Sequence, residues 1–307
     1  MADSFQRVRH QMSRAVIGQE EAIDLLVAAA LASGHVLLEG MPGVAKTLLA
    51  TSLSQSMATQ FARIQCTPEL TPSDLMGGMR EGPLGRQFTP GPIFTNVLLT
   101  DEINRATPKT QSALLEAMQE RQVSLEGETY PLPDPFMVIA TKNPIEYEGT
   151  YPLPEAQLDR FMFKVMIDYP PEADEVAMLN LPDVVAGTLP YTVPVLGQGE
   201  LTDARRKVRS IELPEDMAVF IIGAVRRTRT HPEVRFGASP RAAVHLASAA
   251  RAAAYLDDRD HVSEMDVASM ANPVLRHRVF LQPEAELAGI TTDDVVTSAV
   301  AETRSKL

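Results

Sequence analysis

Gly40-Met41-Pro42-Gly43-Val44-Ala45-Lys46-Thr47 is the stretch that decides the fold. It follows the apolar run Val36-Leu37-Leu38 and leads into the helical pattern Leu49, Leu53, Met57. Strand, glycine-containing turn, Lys-Thr and helix, in that order, make the setting a phosphate-binding loop needs. Backbone N–H groups at the start of such a helix point at the phosphates, and the helix dipole favours negative charge there. Lys46 would reach the β- and γ-phosphates as a point charge, and Thr47 would put its hydroxyl on Mg²⁺. The candidate nucleotide contacts are therefore Gly40, Met41, Pro42, Gly43, Val44, Ala45, Lys46, Thr47 and Leu48. The residue before the lysine is usually glycine, and here it is Ala45. The competing reading is an ordinary strand-turn-helix with a chance Lys-Thr.

An acidic pair further along disfavours that competitor. Val97 to Leu99 is a short apolar strand that ends in Thr100-Asp101-Glu102. Two carboxylates there make structural sense only at an exposed strand tip. Asp101 can hold Mg²⁺ through its water shell, and Glu102 can activate an attacking water. Core strands are also expected at His35 to Glu39, Ala62 to Cys66, Phe136 to Thr141 and Met162 to Ile167, with helical patterns between them. Gln19 to Leu31 reads as an amphipathic helix with Ala22, Leu25, Leu26 and Ala29 on one face. Such alternation implies an α/β core, a five-stranded parallel sheet covered by helices on both faces. Ligands then bind outside the carboxyl ends of the strands. Asn143 follows the fourth strand, where an amide can orient water against the γ-phosphate. A turn or helix-cap asparagine before Pro144 is equally compatible with the pattern.

Two segments interrupt the alternation. Met79 to Phe94 is rich in glycine and proline, and Val123 to Pro135, with its Glu126-Gly127-Glu128 turn, reads as a β-hairpin. Both precede strands that carry site residues, which favours functional insertions over plain surface loops. After Asp168 the composition shifts. Tyr169-Pro170-Pro171 breaks the pattern, and Pro182 to Gly199 is a loop without clear period. From Leu201 onward the chain looks all-helical, with Ser239-Pro240 and Ser263 followed by Asp266 as helix starts. The expected organisation is a nucleotide-binding core over 1–170, a linker over 171–200 and a helical lid over 201–307.

The chain has 307 residues, 45% hydrophobic and 22% charged, as in a globular protein. Its net charge of −12 argues against coating nucleic acid or an anionic membrane. The single cysteine, Cys66, allows no intramolecular disulfide, which fits a reducing cytoplasm. Cys66 itself reads as a small core residue. The N-terminus shows no signal-peptide core, and the most apolar run, Leu25 to Ala32, is too short to span a bilayer. No membrane insertion is expected. The six histidines show no metal-ligand spacing, so no zinc site is expected.

Arg160, in Leu158-Asp159-Arg160-Phe161, and Arg241, in Gly237-Ala238-Ser239-Pro240-Arg241, are the remaining candidates. An arginine can stabilise charge that grows on phosphoryl oxygens during transfer. By pattern alone, each reads first as a surface ion-pair residue.

Taken together, these stretches resemble the MoxR-type ATPases of the AAA+ superfamily, in the clade with magnesium-chelatase motor subunits and MCM-like helicases. The resemblance runs from about Val16 to about Phe280. It is carried by Ile17-Gly18-Gln19, the phosphate loop with its Pro42 and Ala45, and Asp101-Glu102-Ile103-Asn104-Arg105-Ala106. It continues through Lys109-Thr110-Gln111 to Glu120, Ala140-Thr141-Lys142-Asn143-Pro144, Leu153 to Phe161 and Ser239-Pro240-Arg241. The resemblance implies an AAA+ core with a C-terminal lid that binds ATP or ADP with Mg²⁺. Lys46 and Thr47 then match Walker A, Asp101 and Glu102 Walker B, and Asn143 sensor 1. Arg160 matches the arginine finger, Arg241 matches sensor 2, and Gln19 would line the adenine site. Met79 to Phe94 matches the helix-2 insert, and Val123 to Pro135 the pre-sensor-1 hairpin. Such ATPases form rings, commonly hexamers, and are similar to factors that work with von Willebrand factor A domain partners to remodel, mature or insert metal or cofactor into client proteins. A nucleic-acid motor is the rival class. A hairpin that grips a phosphate backbone should carry Lys or Arg, yet Gln122 to Asp134 has neither and contains Glu126, Glu128 and Asp134. A chelatase-like motor stays open, to be separated by its partner. A nucleotide-binding scaffold without turnover is weakened by the intact Glu102.

Overall fold

Val36–Gly40 (β1), Phe61–Gln65 (β2), Val97–Asp101 (β5), Met137–Lys142 (β8) and Phe163–Ile167 (β9) pair in parallel in the order β2-β5-β8-β1-β9. The computed structural model describes residues 2–82, 85–145, 149–181, 185, 191–197 and 199–305. All residues of β1 and β5 are buried, whereas the edge strands β2 and β9 are mixed. Central strands covered on both faces read as continuous apolar runs, while an edge strand keeps part of its surface in water. The five expected strands therefore appear within a residue or so of their sequence bounds.

Helices cover the sheet. Ala2–Ala15 (α1) lies in the polar, charged N-terminal stretch and was not expected. It buries Phe5, Val8, Met12 and Ala15, one helical face at spacings of three and four. Glu20–Ala32 (α2) departs from the expected amphipathic helix, because Ala22, Ile23 and every residue from Leu25 to Leu31 are buried. The lid supplies its second partner. α2 packs against α1 and β9 of the core and against two lid helices, Glu200–Ser210 (α8 below) and Pro240–Leu256 (α10 below). Lys46–Ser56 (α3), Pro72–Met76 (α4), Pro108–Glu120 (α5) and Glu155–Leu158 (α6) complete the core helices.

Both interruptions form hairpins. Gly77–Gly82 (β3) pairs with Gly85–Pro90 (β4), and Gln122–Leu125 (β6) with Glu128–Pro131 (β7). The second turns on Glu126 and Gly127, both at positive φ (49° and 87°), the left-handed pair a tight two-residue hairpin requires. The two hairpins touch: Phe88 stacks on Tyr130 with ring centroids 3.9 Å apart, and Arg86 bonds Glu126 at 2.9 Å.

Glu172–Leu179 (α7) follows β9. Half of the aperiodic loop expected over 182–199 lies outside the described residues. Beyond it come α8 (Glu200–Ser210), α9 (Glu215–Thr228), α10 (Pro240–Leu256), α11 (Glu264–Leu275), α12 (Pro283–Leu287) and α13 (Thr292–Arg304). This lid is helical, with one addition to the expectation: Val234–Phe236 (β10) and Phe280–Leu281 (β11) form a short antiparallel ladder. Ser263 and Asp266 make the capping box read from the sequence. Ser239 precedes α10 as expected, but its hydroxyl makes no cap and bonds Asp159 instead.

Candidate nucleotide site

The loop after β1 is held open by backbone geometry. Gly40 lies so close to β9 that a Cβ there would stand 2.3 Å from the Ile167 carbonyl oxygen. Ala45 sits in the left-handed region at φ 59°, which is why glycine is usual there; alanine pays roughly 1 kcal/mol for it. Ala45 is the N-cap residue of α3 and makes no side-chain cap there. The Lys46 Nζ donates to Gly40 O at 2.5 Å, folding over the loop.

Asp101 and Glu102 stand at the carboxyl end of β5, beside the loop. Asp101 is buried, with Oδ2 accepting from Arg63 Nε at 2.7 Å and Oδ1 from Thr141 Oγ1 at 3.1 Å. Thr141 Oγ1 in turn accepts the Glu102 N–H at 2.9 Å. Glu102 adopts φ 54°, another left-handed non-glycine residue, and its carboxylate meets Arg105 at 2.9 Å. Behind the pair, burial and then the charges of Asp101 and Glu102 push the Cys66 thiol up to about 12, so it stays protonated. Asn143 is buried, and its Oδ1 accepts from Ile145 N at 3.2 Å.

Lys46, Thr47, Asp101, Glu102 and Asn143 all line one cavity of about 520 Å³, with Pro42 and Leu48 at its wall. It runs into a more apolar slot of about 340 Å³ that also includes Gly43, Ala45 and Leu48 and adds Ile17, Gln19 and Tyr169. Gln19 Nε2 donates to Asp168 O at 2.8 Å, tying the slot to the end of β9. A polar basin joined to an apolar slot suits a polyphosphate carrying a flat ring. Among the remaining loop residues, Val44 is buried and Met41 packs on the core.

Arg160 and Arg241 are not in this basin. Both line a separate cavity of about 320 Å³ at the amino ends of β1 and β9, with Ser33, Arg121, Met162 and His245. Arg160 Nη1 donates to Leu115 O at 2.5 Å, while its Nε is buried with no hydrogen-bond partner among the described residues.

Sequence reading missed Arg63 and the role of Thr141. Both become visible once strand order is known. Gln65 pairs with Asp101, so Arg63 is two residues back on the same face of β2. Thr100 pairs with Ala140, so the next step sets Thr141 beside Asp101.

The family profile described as ATPase family associated with various cellular activities (AAA) matches residues 35–163. The AAA lid domain profile matches residues 226–299. The chain is 44% identical to the uncharacterized protein YeaC of Bacillus subtilis, covering 93% of this chain and 89% of that one. It is 40% identical to Chaperone MoxR1 of Mycobacterium tuberculosis, over 98% of this chain and 81% of that one. The crystal structure of a candidate ATPase from Cytophaga hutchinsonii superposes with a TM-score of 0.91 at 38% identity, covering 98% and 94% of the two chains. This chain therefore belongs to the MoxR-type AAA+ ATPases, enzymes that bind and hydrolyse ATP. Proteins of this superfamily generally oligomerise. Among the described residues, no helix is long and apolar enough to cross a membrane.

Proposed function

We propose that this protein works as a hexameric ring: each subunit binds ATP, and the ring uses hydrolysis to remodel or mature a client protein or to assist insertion of a metal or cofactor into it. The observation that carries the reading is the split between two cavities. Lys46, Thr47, Asp101, Glu102 and Asn143 share one, and the candidate arginines Arg160 and Arg241 share another. Charge-stabilising arginines that lie outside the basin of their own chain are placed to serve a neighbouring subunit's site. The expected partner is a von Willebrand factor A domain protein, and the expected compartment is the cytoplasm.

The residues fit nucleotide and Mg²⁺. The start of α3, where Ala45 supplies no side-chain cap, is placed to present N–H groups to phosphate, and Lys46 adds a cation. Among the described residues there is no cluster of three or more His, Cys, Asp or Glu that could hold a metal. Mg²⁺ would therefore be held by the Thr47 hydroxyl, by Asp101 and by the phosphates themselves. When bound, it would neutralise charge on the β- and γ-oxygens. Glu102 takes the proton of the attacking water, Asn143 orients that water, and Arg160 with Arg241 of a neighbour meets the charge that develops.

Mixing two inactive variants tests this. Arg160→Ala and Glu102→Gln should each bind ATP and hydrolyse it poorly. In a mixture, about a quarter of randomly formed interfaces pair an intact Glu102 with an intact Arg160. Activity should return in part. If subunits exchange and the mixture stays inactive, the shared-site reading fails, unless dilution of wild type with the double mutant shows a steeper than linear loss. A chelatase-like motor is the second reading, and recovery of a large chelatase subunit on pull-down would favour it.

A further inference from the structure

The loop before β9 carries Asp159 and Arg160 side by side, and the lid of the same chain grips it. Arg278, in the turn between α11 and β11, has a side chain only 1% exposed. Its Nε donates to Asp159 Oδ1 at 2.6 Å, and its Nη2 to the carbonyls of Asp159 (2.9 Å) and Phe161 (2.6 Å). Its Nη1 donates to Met162 O at 3.2 Å and to Val274 O. Nη2 also meets His245 Nδ1 at 2.6 Å. Burial and then the Arg278 charge push His245 down to about 3, so at neutral pH the ring is an uncharged acceptor. Burial lowers Arg278 itself only to about 10, which leaves it charged. A lysine, with three donors and no planar fork, cannot serve this set of acceptors.

The second oxygen of the same carboxylate faces the lid as well. Asp159 Oδ2 accepts from Ser239 Oγ at 3.1 Å and lies 4.0 Å from Arg241 Nε. Ser239 gives up its capping role for this bond. One carboxylate is thus held from three lid positions: Arg278, Ser239 and Arg241. The next residue along the chain is Arg160, which shares a cavity with Arg241. Because Arg278 bonds Val274 in the lid and Asp159, Phe161 and Met162 in the core, a shift of the lid pulls directly on the Arg160 loop.

We propose that Asp159, clamped by Arg278, is a positioning residue that sets the directions of Arg160 and Arg241, so that the lid of one subunit controls hydrolysis at its neighbour's site. This rests on Arg160 serving a neighbouring subunit. Displacing a catalytic group by about 1 Å can cost about 100-fold in rate. The clamp therefore gives the lid leverage over turnover without touching the nucleotide of its own chain.

The test uses Asp159→Asn, which keeps size and removes the charge, in the full-length protein. We expect kcat to fall about 10- to 100-fold, with affinity for a fluorescent ADP analogue within about threefold, because the basin around Lys46 is untouched. The Asp159→Asn protein mixed with Glu102→Gln should regain activity, since the second variant supplies an intact Asp159 and Arg160. A merely structural defect would not be rescued this way. Arg160→Ala mixed with Glu102→Gln is the reference. If the reference recovers and the Asp159→Asn mixture does not, the positioning role is overturned while the arginine-finger reading stands. If the reference itself fails, the arginine-finger reading falls, and this inference with it. Wild-type kcat in Asp159→Asn also overturns the proposal. Should Asp159→Asn fail to fold, Ser239→Ala carries the test, since it removes one bond to Asp159 and no cap. It should lower kcat about three- to tenfold with unchanged ADP affinity and the same rescue, and an unchanged kcat overturns the proposal.

Discussion

Thr141→Val probes how the acidic pair is held. Valine keeps the shape of a buried position in β8, where Thr141 is 2% exposed, and removes only the hydroxyl. That hydroxyl donates to Asp101 Oδ1 and accepts from the Glu102 N–H. Losing a hydrogen bond to a charged group costs about 1.5–3 kcal/mol and losing a neutral one about 1 kcal/mol, so stability should drop by about 2.5–4 kcal/mol. The larger consequence is for rate. Glu102 stands at φ 54°, a conformation that costs a non-glycine residue about 1–2 kcal/mol and is retained here by its bond to Thr141. With that bond gone the backbone relaxes and the carboxylate moves, which should lower kcat about 10- to 100-fold. ATP affinity should stay within about threefold, because Lys46 and the α3 terminus are unchanged. Thr141→Ser keeps the hydroxyl and should retain most of the activity. Steady-state phosphate release, nucleotide binding and urea unfolding of the three proteins read these effects separately. A folded Thr141→Val that hydrolyses ATP at the wild-type rate would refute the claim that Thr141 positions Glu102.

Three further outcomes follow from the geometry. Lys46→Ala should abolish tight ATP binding in a direct binding assay, since Lys46 is the cation folded over the loop; wild-type affinity would sink the phosphate-loop assignment. A double-mutant cycle on Phe88→Ala and Tyr130→Ala should give a coupling of about 0.5–1.5 kcal/mol, joining the two hairpins, and additive effects would show them independent. Acid should destabilise the fold before carboxylates titrate. Burial pushes His35 down to about 4, His245 to about 3 and His277 well below 6.5, so all three are neutral when folded and take up protons when unfolded. Their stabilisation is complete above the unfolded value near 6.5 and is lost as pH falls below it, at about 1.4 kcal/mol per pH unit for each group. Urea midpoints that do not fall between pH 7 and pH 5 would contradict this.

Local pattern was enough for most of the architecture. Each core strand is a short apolar run, the phosphate loop and the Asp101-Glu102 tip are contiguous motifs, and the Glu126-Gly127 turn announces its hairpin. These signals survive because a strand, a turn or a helix start is specified by neighbours a few residues away. The N-terminal helix was missed, because the charged residues between Phe5, Val8, Met12 and Ala15 hid their helical spacing. What needed the tertiary structure was everything decided by which elements become neighbours. α2 is buried all round because lid helices cover the face that its composition left open. Arg63 and Thr141 reach Asp101 only because β2 and β8 flank β5. Asp159 and Arg278 are 119 residues apart in sequence and 2.6 Å apart at their bonded atoms, and the separate cavity shared by Arg160 and Arg241 exists only where the amino ends of β1 and β9 meet the lid. A charged side chain carries no mark of its partner in its own stretch of sequence, and register, strand order and lid docking choose that partner.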